Sequence, residues 1–216
     1  MLAFEAESWR RGLDRIAGVD EAGRGPLVGP VVAAAVVFVR GFAQVAQRGM
    51  LHGLTDSKQV SEKRREEFFE VLQAAPEVEI GVGQASSDEI DKINILRATH
   101  LAMRRAVEGL PSLPDYILVD GRPVDGLPVK STAIVKGDAK SLSIAAASII
   151  AKVTRDRMMY ELAQRHPEYG FASHKGYGTR AHLEALKEYG PLPEHRQTFA
   201  PIKNLGMRVY RQMDLI

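Results

Sequence analysis

Two unbroken apolar blocks, residues 16–19 and 31–38, stand near the start of the chain and have the length and composition of buried strands. Further blocks predict strands over 78–85, 115–120 and 131–136, with the first two extending over 15–21 and 31–39. Elsewhere the pattern predicts helices over 61–75, 88–109, 141–166 and 179–189. Ser87, Asp88 and Glu89 give the second helix an acidic start that suits the helix dipole. Along it Ile93, Leu96, His100, Met103 and Val107 recur at three- and four-residue spacing, so His100 is expected as a satisfied core histidine facing a sheet. Residues 40–55 read as a long loop or a short irregular insertion. A hairpin-like start, strands mixed with helices and a helix-rich tail predict an α/β fold with helices on the faces of the sheet. Residues 1–170 are the expected core, and residues 171–216 an extension packed on it rather than an independent domain.

Carboxylates cluster where this pattern breaks. Asp20 and Glu21 end the first strand and run into Gly23-Arg24-Gly25. Burying one unpaired charge costs several kcal/mol, so an apolar strand ending in two of them calls for water, cations or a metal. Alternation along a strand sends neighbours to opposite faces, so the two converge only if the backbone turns, which the glycines permit. Asp120 precedes Gly121 at the end of another strand, and Asp138 follows Gly137 at a third. Asp120-Gly121 also fits an ordinary turn, and Asp138 also fits the N-cap of the next helix. Taken together, three strand ends bearing carboxylates suit hard divalent cations such as Mg²⁺ or Mn²⁺, two of which can drive phosphodiester hydrolysis.

Composition narrows the chemistry. There is no cysteine among the 216 residues, which removes disulfides and thiolate metal sites. The N-terminus lacks an apolar stretch of signal-peptide length, and residues 31–39, the longest apolar run, are far shorter than the ~20 residues that span a bilayer. A soluble, cytoplasmic protein is expected. Net charge is +2, but residues 1–135 hold 16 Lys/Arg against 19 Asp/Glu and residues 136–216 hold 13 against 8. That asymmetry fits a polyanion lying over a carboxylate site, and equally fits solvated helix faces.

In the helix over 141–166, Ser141, Ala145, Ser148, Lys152 and Arg155 share one stripe. Its small residues admit either a nucleic-acid strand or tight packing on the sheet. His174-Lys175-Gly176-Tyr177-Gly178-Thr179 presents Tyr177 between glycines, free to stack on a base or sugar. Gly23–Gly29 does not have dinucleotide-fingerprint spacing, and Lys136-Gly137-Asp138 lacks the glycine and hydroxyl of a P-loop. Three other readings stay open: metal-free phosphodiester cleavage using His174, His182 or His195 as general acid and base, a nuclease or recombinase that cuts DNA irrespective of ribose, and a non-catalytic nucleic-acid-binding module.

The segments AGVDEAGRGPLVGPVVAAAVV, TDSKQVSEKRRE, EIDKINILRATHLAMRRA, ILVDG, VKGDAKS, AAASIIAKVTRDR and HKGYGT occur in that order between about residues 16 and 200. In them the chain closely resembles the type 2 ribonucleases H, the bacterial ribonuclease HII family. The resemblance implies an RNase H-like fold, with a central mixed five-stranded sheet flanked by helices and a C-terminal helical extension. It implies cleavage of the RNA strand of RNA–DNA hybrids and incision 5′ of single ribonucleotides in duplex DNA. The positions of Asp20, Glu21, Asp120 and Asp138 would hold two Mg²⁺ or Mn²⁺ ions. Gly23, Arg24 and Gly25 would contact the 2′-hydroxyl and adjacent phosphate, and Tyr177 would recognise the RNA–DNA junction. Lys58 would bind a phosphate, and Lys140, Ser141, Ser148, Lys152 and Arg155 match positions near the substrate backbone. A monomer is expected. The tail lacks the aromatic pair of a sliding-clamp peptide, Gln212 and Ile216 notwithstanding.

Overall fold

Five strands form one mixed sheet in the computed structural model, which describes residues 1–204. Strand β1 (Ile16–Ala22) is central, with β2 (Val31–Phe38) antiparallel beside it and β3 (Val78–Ala85) antiparallel to β2 at one edge. On its other side β4 (Tyr116–Asp120) and β5 (Ser131–Ile134) run parallel to it, giving the order β3-β2-β1-β4-β5. All five expected strands are present, with ends within two residues. β2 is buried along its whole length because both of its faces are covered, which is why its sequence does not alternate.

Even-numbered residues of β1 and β4 face one helix layer and odd-numbered residues the other. Ile16 and Leu118 pack with α5 (Leu142–Arg165), α3 (Glu62–Ala74) and α1 (Ala3–Arg10). Ala17, Val19, Ile117 and Val119 pack with α4 (Ser87–Glu108). Each large apolar side chain removed from water contributes about 1.5–3 kcal/mol, so the two layers fix the register of the sheet. Helix α5 lies close on β1: a Cβ at Gly18 would sit 2.1 Å from the Ser143 carbonyl carbon, so any side chain there would push the helix off the strand.

A third apolar cluster joins Leu27 and Val28 of the β1–β2 loop to Met159 and Leu162 of α5. It also takes in Tyr169, Phe171 at the start of α6 (Phe171–His174), Leu186 of α7 (Arg180–Tyr189), and Ile202. The segment after residue 170 is therefore packed against the loop that follows Asp20 and Glu21.

Three expectations need correction. Residues 40–55 are not all loop, since α2 (Arg40–Arg48) forms there. It buries only Ala43 and Ala46, too narrow a face to announce a helix. Helix α1 is absent from the sequence pattern; its buried face is Glu5, Ser8 and Trp9, so polar residues hide the amphipathic period. The stripe through His100 does not face the sheet as one surface. Asn94 takes a left-handed φ of 67° and breaks α4, with its Oδ1 accepting from the Leu96 and Arg97 N–H groups as a new cap. Beyond that break Ala98, Ala102, Met103, Ala106 and Val107 face inward, Leu96 is 48% exposed, and His100 is half-buried at the surface. The tail residues named in the clamp comparison, Gln212 and Ile216, lie outside the described residues. Among those described, no helix is long and apolar enough to cross a membrane.

Candidate active site

Carboxylates meet where the parallel strands β1 and β4 end side by side. Val19 and Val119 are register partners, so Asp20 and Asp120 project next to each other on the α5 face. Asp138 comes from the turn after β5, where Lys136 at φ 56° starts a 3₁₀ turn over Gly137–Ala139. The Gly137 N–H donates to Asp120 Oδ1 at 2.6 Å and fixes that turn to the tip of β4. One oxygen of each of the three aspartates lies within 4.8 Å of the others. The N-cap of α5 is Ser141, whose Oγ accepts from the Ile144 N–H at 3.3 Å, so Asp138 does not serve that role.

Glu21 stands apart from the three. β1 does not turn before Ala22, so alternation directs Glu21 to the α4 side, where its Oε1 accepts from Arg24 Nη1 at 3.2 Å. It remains close enough for its charge to act on Asp20. Burial first, then the charges of Glu21 and Asp120, raise the Asp20 pKa well above the ordinary carboxylate value. Burial and then the charges of Asp120 and Asp56 raise Asp138 as well. Burial pulls the Lys58 pKa down, but Asp56, Asp20, Asp138 and Glu21 together outweigh it and raise it. Asp20 is only 5% exposed, and the Lys58 ammonium faces a cluster whose negative charge it cannot balance alone. An oxygen-only donor set with surplus negative charge fits hard divalent cations.

A cavity of about 330 Å³ adjoins the cluster, walled by Glu21, Gly23–Gly25, Lys58, Ser148, Lys152 and Tyr177. The Ser148 hydroxyl donates to Ser57 Oγ at 2.9 Å beside Asp20. Lys152 Nζ is held by Asp156 at 2.7 Å. Tyr177 is 45% exposed, and its ring edge lies 3.4 Å from where a Gly25 Cβ would be, so glycine there keeps the slot open. Lys140 lies outside this cavity, exposed, with Nζ on the Val135 carbonyl at 2.7 Å.

Of the residues expected at the substrate backbone, Ser141 turns inward, while Arg155 lines the cavity but spends its donors on backbone carbonyls beneath it. Ser141 is fully buried and donates to Glu5 Oε1 at 2.6 Å, which joins α1 to the start of α5. Arg155 is 1% exposed and directs its donors to the carbonyls of Pro30, Lys175 and Val28. Gly23, at φ 95°, sits against that guanidinium: a Cβ there would lie 2.1 Å from Arg155 Nε. Arg155 therefore shapes the glycine loop from beneath.

Sequence reasoning misses the second half of that cradle. Arg196 is fully buried and donates to the carbonyls of Gly23, Arg24 and Gly29 at 2.5–3.0 Å. His195 beside it accepts from the Leu192 N–H through Nδ1 at 2.8 Å, which leaves its proton on Nε2. That Nε2 donates to His182 Nε2 at 3.1 Å, and His182 Nδ1 donates in turn to the Tyr177 carbonyl at 3.0 Å. Burial first, then the neighbouring His182, press the His195 pKa down to about 4, and burial lowers His182 too, so the pair is neutral at neutral pH. The histidines thus connect the Tyr177 loop to the segment that holds the glycine loop. The sequence signal for them is slight: four of six histidines fall after residue 136.

Comparison with known proteins shows the family. The family model for ribonuclease HII matches residues 17–202. Ribonuclease HII of Neisseria meningitidis serogroup B is 55% identical over 190 residues, covering 88% of this chain and 94% of that protein. The Clostridioides difficile ribonuclease HII is 49% identical over 202 residues, covering 94% and 75%. Among solved structures, ribonuclease H2 from Pyrococcus horikoshii OT3 superposes with a TM-score of 0.76 at 32% identity, covering 91% of this chain and 99% of that one.

Proposed function

The chain belongs to the ribonuclease HII family, type 2 ribonucleases H that hydrolyse the RNA strand of RNA–DNA hybrids, and from that premise we propose that it also incises duplex DNA 5′ of single embedded ribonucleotides by a two-metal-ion route. The observation that carries this reading is adjacency: Glu21, Lys58 and Ser148, which act on Asp20 of the Asp20–Asp120–Asp138 cluster, line the same slot as Gly23–Gly25 and Tyr177.

The donor set fits Mg²⁺ or Mn²⁺, with Asp20, Asp120 and Asp138 as holders and Glu21 as the fourth carboxylate. Two such ions, when bound, supply an activated water for in-line attack and a counter-charge for the departing 3′-oxygen. The chain's own residues do the rest. Backbone N–H groups at Gly23 and Gly25 approach the ribose without side chains in the way and test for a 2′-hydroxyl, the group that separates RNA from DNA at one nucleotide. Arg24 exchanges Glu21 for a substrate phosphate, which frees the Glu21 carboxylate for the cluster. Tyr177 packs on the sugar that follows. Lys58 and Lys152 bind phosphates, and Lys140 does so farther along the backbone. Contacts of this kind carry little sequence information, so cleavage is indifferent to base identity. The products are a 5′-phosphate and a 3′-hydroxyl. Residues 171 onward act as an extension of the catalytic core, and the enzyme works as a cytoplasmic monomer.

The test is a labelled DNA duplex carrying one ribonucleotide, run with Mg²⁺, Mn²⁺ or EDTA beside an all-DNA duplex and a long hybrid. A metal-dependent nick 5′ of the ribonucleotide, absent from all-DNA, is the expected result. Cleavage that persists in EDTA would remove the carboxylate–metal reading in favour of histidine chemistry. Stacking on a nucleic acid is worth ~1–3 kcal/mol per aromatic. Tyr177→Ala should therefore lower kcat/KM on the single-ribonucleotide duplex about 10- to 100-fold, and lower it less on the long hybrid. Equal losses on both substrates would take junction recognition away from Tyr177.

A further inference from the structure

On the far side of the carboxylates from Tyr177 lies a second cavity, of about 440 Å³, which shares Glu21 and Arg24 with the first. Its walls are α4 and the turn after β4, with His100 and Arg122 contributing polar groups. His100 also borders a third hollow of about 270 Å³, lined by Arg97, Arg104 and Asp125. Shared walls place the three hollows in series, Glu21 and Arg24 between the first and second and His100 between the second and third, from Tyr177 past Glu21 and Asp120 to the outer face of α4.

We infer that this second arm is the binding track for the strand upstream of the scissile phosphate, the segment that ends in the departing 3′-oxygen. The inference rests on the proposed incision 5′ of the ribonucleotide. With the ribose in the Gly23–Tyr177 slot, the nucleotides on its 5′ side leave the cluster on the opposite side, which is where α4 lies. The track has the chemistry for a phosphodiester chain. Arg97, His100 and Arg104 follow one another at three- and four-residue spacing on a single face of α4. Neighbours at that spacing lie ~5–6 Å apart at Cβ, close to one phosphate step along a nucleic-acid strand. Arg122 adds a further cation at the mouth next to Asp120.

These groups are available. Arg97 and Arg122 are exposed and have no carboxylate within salt-bridge distance among the described residues. Arg104 meets only Glu108, at 3.7 Å. His100 Nδ1 accepts from the Asp125 N–H at 3.3 Å, so its Nε2 carries the proton and is a donor. Asp125 is the carboxylate that opposes them in the outer hollow.

The experiment uses single-ribonucleotide duplexes whose cleaved strand keeps one, three or ten nucleotides 5′ of the ribonucleotide. For the unmodified enzyme, kcat/KM should rise about 10-fold or more between one and ten. Arg97→Gln with Arg122→Gln, both surface changes, should lose about 10-fold on the longest substrate, mainly through KM, and less than about 2-fold on the shortest. Two fewer phosphate contacts should also flatten the salt dependence of log kcat/KM by about 1.5–2 units of slope. Cleavage by the unmodified enzyme that does not depend on upstream length, or a variant loss that is equal at all lengths, overturns the track and leaves the proposed function standing. No nick at any length overturns the function and the track together.

Discussion

Asp120→Asn is expected to lower cleavage of both hybrid and single-ribonucleotide substrates by at least about 1,000-fold, or ~4 kcal/mol of transition-state stabilisation. Asparagine keeps an Oδ1 that can accept the Gly137 N–H, so the tip of β4 and the Asp138 turn stay in place while one negative charge is lost. The same substitution should stabilise the metal-free protein. Asp20 has a folded-state pKa raised above its unfolded value, by burial and by the charges of Glu21 and Asp120. The destabilisation is absent below the ordinary carboxylate pKa of about 3.9, and develops as pH rises from there through the raised value. In EDTA the native cluster therefore carries more of this destabilisation at pH 8 than at pH 5. Removing one member should raise stability by about 1–2 kcal/mol, a few degrees in Tm for a chain of this size. Divalent cation should reverse the order, because the native cluster gains more from it than the variant does. Thermal unfolding at pH 5 and pH 8, each with EDTA and with Mn²⁺, gives the readout. A variant that is less stable than the native protein at pH 8 in EDTA would show that Asp120 is a structural group first.

That opposition of stability and function explains why the acidic residues are legible in the sequence. Two adjacent carboxylates closing an apolar strand have no packing reason to be there, so Asp20 stands out at once, whereas Asp120 and Asp138, each of which also fits a turn or a cap, stand out only as repeats of the same pattern. The strands themselves are legible for the converse reason, since a sheet covered on both sides needs continuous apolar runs. Glu21 is legible as a residue but not in its orientation, because the backbone turn that would bring it beside Asp20 does not occur before Ala22. The break in α4 is hidden because Asn94 makes its own cap inside a helix whose residues otherwise favour helix throughout. Ser141 is misplaced by sequence alone, and the carbonyl partners of Arg155 are hidden, because a basic or hydroxyl residue on a helix stripe looks the same whether it meets a phosphate or a carbonyl. Arg196 leaves no trace at all. A guanidinium buried among backbone carbonyls has neither period nor charged partner to betray it.

Arg196 is also where the second large effect is expected. Its guanidinium accounts for hydrogen bonds to Gly23, Arg24 and Gly29, so Arg196→Met strands the buried carbonyls of Gly23 and Gly29 and the part-buried one of Arg24, which no other described donor reaches at those atoms. Each unsatisfied buried group costs about 1–3 kcal/mol, and partial relaxation of the loop should leave a net loss of ~3–5 kcal/mol. Arg196→Lys keeps the charge but offers a single ammonium where the site needs a planar fork, so it should fall between the two. Urea unfolding at constant slope measures this directly. Activity separates a positioning role from plain loss of fold. The Asp20–Asp120–Asp138 cluster is built from β1, β4 and the turn after β5, none of which Arg196 touches. Below their unfolding transitions both variants should therefore keep the Tm rise that Mn²⁺ induces. What they should lose is the glycine slot: kcat/KM on the single-ribonucleotide duplex falls by about 100-fold in Arg196→Met, and the ratio of that rate to the long-hybrid rate falls with it. If the ratio is unchanged while both rates drop, Arg196 supports the fold alone and the carbonyls of Gly23 and Arg24 are held in place by Arg155 and the packing of Leu27 and Val28.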